Sequence, residues 1–242
     1  MNNLVCLPWY DLPNSSSKLD LFWQTLRISL RAAGFHNLPA ELSRDHPYEV
    51  QWQQEHLLLS QCCGPDLFKP VAKNLLPIGR PAFCDLSCKP GFYYSYIVSR
   101  CNGLPKLIHP VVNSISSRSG CGALLEWLEE SEIQSDAFQV SGSHQNSVDL
   151  LQAGSASLAA IDAHSWPILS NTKGLNIVAQ TKTAPTPAFV THKARVGSGN
   201  SESLQENLFS ALEEAIRQNG EKMLNIDRLL PAARDTYQAY ML

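Results

Sequence analysis

Apolar and polar positions along the chain follow two periods in turn. Residues 4–7, LVCL, form a short apolar run closed by Pro8. After the polar loop WYDLPNSSS, Leu19, Phe22, Leu26 and Leu30 recur at helical spacing as far as Gly34, a residue suited to a helix end. Strand, loop, helix is the order of an α/β unit. A second buried strand is expected at 57–60 within HLLLSQCCG, broken by Gly64 and Pro65.

Beyond Gly91 the stretch FYYSYIVSR alternates and is rich in aromatic and β-branched residues, so it predicts a strand. A short strand is expected at 107–113, and Leu124, Leu125 and Leu128 give a helix over 123–130. Residues 137–166 read as strand, Gly-Ser-His turn, helix ending at Gly154, and strand again. This repetition predicts parallel strands with their loops gathered at the carboxyl ends. One more strand is expected at 176–181, followed by a crossing segment around Pro185 and Pro187. A capping box at Ser203 and Glu206 opens an amphipathic helix through Leu204, Leu208, Leu212 and Ile216 to Gly220, and 196–203 reads as a flexible surface loop.

With 242 residues the chain has room for one large α/β domain or two lobes. The apolar fraction of 44%, 17% charged residues and net charge of -3 are those of a soluble protein with no global attraction to nucleic acid, so an anion must be held locally. The N-terminus shows no basic leader followed by an apolar core, and no apolar run is long enough to insert in a membrane. The expectation is a cytoplasmic protein, or a periplasmic one if a leader has been removed. Seven cysteines are spread through the chain; reduced thiols, a zinc site among Cys62, Cys63, Cys84 and Cys88 (without paired C-x-x-C spacing) and a Cys63–Cys88 disulfide stay open.

Candidate chemistry concentrates at three strand ends. In NSISSRSGCGALLEWLEE, Ser117, Arg118, Ser119 and Gly120 stand directly before a helix. Backbone N–H groups, hydroxyls and the positive end of the helix dipole would there surround one point, the arrangement that holds phosphate-like anions. The Gly-Lys-Ser/Thr ending of a P-loop is absent. In GSHQNS, His144 and Ser147 occupy a second strand-to-helix turn. In AAID, Asp162 ends an apolar strand, either to cap a loop or to accept a proton-bearing group of a ligand. Ligands of open α/β sheets collect at the carboxyl ends of strands.

The ordered set Tyr94-Ser95, Ser117-x-Ser119-Gly120, Gly142-Ser143-His144-x-x-Ser147, Ala160-Ile161-Asp162 and Thr181 to Pro185 resembles the phosphate/phosphonate ABC transporter substrate-binding family. The resemblance implies a two-lobed type II periplasmic-binding-protein fold, with two crossing hinge strands and a ligand cleft between lobes. Lobe 1 is then expected from 1–90 and 184–242, and lobe 2 from 91–183. It also implies a non-enzymatic binder of phosphate, a phosphonate or a related oxyanion, acting by lobe closure, without cofactor or metal, and with an ABC permease as partner. The ligand-binding set it implies is Tyr10, Tyr94, Ser117, Arg118, Ser119, His144, Ser147 and Asp162. Arg118 stands where a threonine is usual, so either only its backbone N–H serves or its guanidinium adds a contact. Alternatives are an enzyme on the same fold, for which no G-x-S-x-G elbow is present, and a cytoplasmic ligand sensor acting through a separate protein.

Overall fold

The computed structural model describes residues 3–196 and 201–241. The chain divides into two compact units, Met1–Gly91 with Pro185–Ala239 and Phe92–Ala184 with Tyr240–Leu242. A two-stranded ribbon, Phe92–Tyr93 with Ala184–Pro185, forms where the chain passes from one unit to the other.

The first unit is built on a five-stranded sheet in the order Leu4–Val5, Leu57–Cys62, Ala188–His192, Leu75–Phe83, Ile226–Pro231. Leu57–Cys62 pairs in parallel with Leu4–Val5, and the other pairings are antiparallel. Helix Ser16–Ala32 turns Leu19, Phe22, Trp23, Leu26 and Leu30 inward, each at most 1% exposed. Each such side chain contributes on the order of 1.5–3 kcal/mol of burial free energy. The glycine that follows the helix, Gly34, takes φ 89°, a conformation open to a residue without Cβ. Helix Ser201–Leu224 packs against it. Ser203 therefore lies inside this helix rather than capping it, a correction to the capping-box reading. The expected loop at 196–203 falls, at 197–200, outside the described residues.

The second unit carries a five-stranded sheet in the order Gln139–Val140, Pro110–Val112, Leu158–Asp162, Ser95–Ser99, Asn176–Gln180. The first three strands are mutually parallel, so their carboxyl ends lie at one edge of the sheet. Ser95–Ser99 runs antiparallel to both of its neighbours. The expectation of parallel strands for the strand–turn–helix–strand stretch thus holds for Pro110–Val112, Gln139–Val140 and Leu158–Asp162, and within this sheet Ser95–Ser99 is the strand that runs against the others. Hydrophobic alternation fixes which face a residue takes but carries no direction. Ile97, Val112, Leu124, Leu128, Leu158 and Ala160 close the core over helix Ala123–Glu130.

None of the seven cysteines is in a disulfide, and Cys63 is buried and Cys88 half-buried, which corrects the possibility of a disulfide between those two. Among the described residues no group of three or more His, Cys, Asp or Glu is placed to hold a metal ion. No described helix is long and apolar enough to cross a membrane.

Candidate functional site

The three parallel strands of the second unit lead to Ser117, Arg118 and Ser119, to His144 and Ser147, and to Asp162. After Pro110–Val112 the chain turns through 113–117 into a wide π-helical segment, Arg118–Gly122, which continues as helix Ala123–Glu130. Ser117 caps that segment: its Oγ accepts from the Gly120 N–H at 3.0 Å. A Cβ at Gly120 would lie 1.8 Å from Asn113 Oδ1, so a larger residue there would have to push the Asn113 side chain aside. After Gln139–Val140, Ser143 caps helix His144–Ala153 in the same way, its Oγ accepting from the Asn146 N–H at 3.1 Å.

These two turns meet. Ser119 Oγ and His144 Nε2 are joined by a hydrogen bond of 3.0 Å, and Ser119 Oγ lies 3.5 Å from Ser117 Oγ. The backbone ties them as well, the Gly142 N–H donating to the Asn113 carbonyl at 2.9 Å. Burial lowers the His144 pKa from 6.5 to about 4, so the imidazole is neutral at physiological pH. Its Nδ1 is buried without a hydrogen-bond partner. The turn thus offers hydroxyls, a neutral imidazole and the leading N–H groups of a helical segment at one point, with no free cationic side chain among them. That set suits a tetrahedral oxyanion held by hydrogen bonds and a helix N-terminus.

The remaining candidates are placed as follows. Arg118 is buried, with its guanidinium on Glu126: Nη1 donates to Oε1 at 2.8 Å and Nη2 pairs with Oε2. Ser147, buried, shares a hydrogen bond of 2.7 Å with Ser141 Oγ inside its own turn. Asp162 caps the loop after Leu158–Asp162, its Oδ1 accepting from the N–H groups of His164 at 2.8 Å and Ser165 at 3.2 Å. Tyr94 is buried, with its ring edge-on to Tyr96 at 5.6 Å. Tyr10 belongs to the first unit; it takes φ 69°, unusual for a residue with a side chain, and meets Phe83 edge-on at 5.5 Å. The structure brings Ser117, Ser119 and His144 together and engages the side chains of Arg118, Ser147 and Asp162 with neighbours of their own.

Several supporting residues were not among the candidates. Ser95 Oγ donates to the Ser119 carbonyl at 2.8 Å, and the Ser95 N–H donates to Thr181 Oγ1 at 2.9 Å. Both stood in the ordered motif set, but their buried, bridging geometry has no local signature. Asn113, Ser141 and Glu126 act through contacts across turns. Two open hollows occur elsewhere, one of about 660 Å³ beside Cys84, Gly220 and Asp227 and one of about 460 Å³ along Val140, Asn146 and Ala153, and neither is lined by a candidate residue.

Comparison with known proteins identifies the family and the fold. Residues 111–237, more than half of the chain, match the family described as ABC transporter, phosphonate, periplasmic substrate-binding protein. No curated protein matches the chain by sequence. Among solved structures, PhnD1 from Prochlorococcus marinus, in complex with methylphosphonate, superimposes with a TM-score of 0.70 at 16% identity, covering 98% of this chain and 94% of that one. A binding protein component of an ABC phosphonate transporter from Pseudomonas aeruginosa gives a TM-score of 0.68 at 11% identity, with 98% and 84% covered. A Candida albicans gene product with the generic periplasmic binding protein fold gives 0.59 at 11%, with 91% and 72% covered. At these identities the structural likeness establishes the fold.

Proposed function

The chain belongs to the family of periplasmic substrate-binding proteins of phosphonate ABC transporters, and from that premise we propose that it captures a small phosphonate or phosphate anion at the Ser117–Ser119 turn and delivers it to a membrane permease. The observation that carries the ligand reading is the hydrogen bond of 3.0 Å between Ser119 Oγ and His144 Nε2, which joins two strand-end turns into one donor cluster. Ser117, Ser119 and the N–H groups at the start of the helical segment take the phosphoryl oxygens, and neutral His144 orients the Ser119 hydroxyl. Ser147 and Asp162 hold the adjoining turns in shape, and Tyr94, packed edge-on against Tyr96, is carried as a ligand contact on the family resemblance. Tyr10 is carried as a ligand contact on the family resemblance alone. The methylphosphonate bound by the Prochlorococcus protein supports the choice of ligand class.

Catalysis is the weaker reading. Ser119 and His144 are within the reach expected of a nucleophile and its base, but His144 Nδ1 lacks the hydrogen-bonded partner that would orient the ring as a third catalytic member does. Calorimetric titration with methylphosphonate, phosphate and sulfate tests the proposal. Saturable binding of methylphosphonate or phosphate without turnover is expected. Absence of binding by all three, or conversion of the bound compound, would contradict it.

A further inference from the structure

Arg118 is the middle residue of the anion turn and only 4% exposed, yet its charge is matched before any ligand arrives. Glu126, eight residues on and about half exposed, takes both terminal nitrogens of the guanidinium. The Arg118 Cζ also lies 5.6 Å from the ring centroid of Tyr240, within cation–π range. Tyr240 comes from the end of the chain, whose last residues group with the second unit although Pro185–Ala239 group with the first. The Arg118 Nε is buried and has no hydrogen-bond partner, so one donor of the fork is uncommitted.

A guanidinium next to an anion site favours whichever ligand carries more charge, since charge-assisted hydrogen bonds are about twice as strong as neutral ones. Paired with Glu126, the same group adds almost no net field. The donors left facing a ligand are then neutral hydroxyls, backbone N–H groups and an uncharged imidazole. We propose that Glu126 and Tyr240 are positioning residues that hold Arg118 out of the anion site, and that this restraint makes the turn discriminate against fully ionised oxyanions such as sulfate in favour of a phosphonate that keeps a proton. The inference rests on the anion-binding reading above and adds its selectivity.

The test measures dissociation constants for methylphosphonate and sulfate, at a pH where methylphosphonate retains a proton, in the full chain and in Glu126→Gln, Tyr240→Ala, Tyr240→Phe and the double variant Glu126→Gln/Arg118→Gln. Glu126→Gln keeps the shape of a partly exposed side chain, and thermal melting checks that it folds. It is expected to shift the methylphosphonate-to-sulfate affinity ratio toward sulfate by about tenfold, or about 1.4 kcal/mol. Tyr240→Ala should shift it in the same direction by about threefold, in keeping with a cation–π contact at the weaker end of the usual range, and Tyr240→Phe should leave it unchanged. Adding Arg118→Gln to Glu126→Gln should return the ratio to that of the original chain, because the shift requires the guanidinium. If both ligands weaken equally in Glu126→Gln, the trio is a brace and the proposal is overturned. An unchanged ratio in a chain that binds methylphosphonate overturns the selectivity role alone, whereas no binding of either anion by the original chain overturns it together with the reading it rests on.

Discussion

The two serine-rich turns of the second unit start from the same chemistry and end differently. In each, a serine at the end of a strand caps the following helical segment, Ser117 accepting from Gly120 and Ser143 from Asn146. Their next hydroxyls then diverge. Ser147 turns back to Ser141 at 2.7 Å and closes its turn on itself, whereas Ser119 reaches out to His144 of the other turn at 3.0 Å. A hydroxyl satisfied within its own turn contributes to stability; one shared between two turns is positioned where a ligand's oxygen can compete for it. Similar composition therefore yields one hydroxyl closed within its own turn and one shared between two turns, and the difference lies in one long-range hydrogen bond.

The largest break in this comparison should come from Gly120→Ala. The added methyl must displace the Asn113 side chain, whose Oδ1 would lie 1.8 Å away, and disturb the cap made by Ser117. A stability loss of about 1–3 kcal/mol is expected from the overpacking, with phosphonate affinity falling in parallel. Chemical denaturation and calorimetry measure the two. Adding Asn113→Ala should recover part of both losses, since the clash is with that side chain.

A smaller effect is expected with pH. His144 is lowered to about 4 by burial, and His192 is lowered for the same reason. The unfolded chain binds protons on these groups at a pH where the folded chain does not. Folding stability is therefore complete above the ordinary histidine value of 6.5 and declines as pH falls from there toward about 4. His144→Gln should flatten part of that decline, as read from denaturation midpoints across the interval. An unchanged profile would mean that the imidazole is open to water and not held neutral by the turn.

Much of this contrast was hidden in the sequence for physical reasons. Helical spacing in 19–30 and 123–130 was plain because each helix buries one face, and Ala159, Ala160 and Ile161 marked a fully buried strand. Strand Leu75–Phe83 was not legible: Pro77 and Pro81 argue against a central strand, yet the pairing with Ala188–His192 shifts register between Phe189 and Val190, opposite Gly79 and Pro77, where a bulge accommodates the missing donor. Strand Ile226–Pro231 was obscured by the exposed Asp227 and Arg228. The placement of Ser117, Ser119, His144 and Asp162 near strand ends could be read from turns alone. Which hydroxyl bridges to which turn could not, because Ser119 and His144 are 25 residues apart and nothing local encodes their contact. The pairing of Arg118 with Glu126 also exceeds the three- or four-residue spacing from which helix-surface pairs are anticipated.

The most direct measurement is the methylphosphonate dissociation constant of Ser119→Ala set beside that of Ser147→Ala. Loss of the bridging hydroxyl should weaken binding by about 1–3 kcal/mol, as for a donor removed from a desolvated site, while loss of the self-satisfied hydroxyl should lower the melting temperature and leave affinity close to the original. Equal affinities for the two variants, or a larger loss in Ser147→Ala, would contradict the assignment of the Ser117–Ser119 turn as the anion grip.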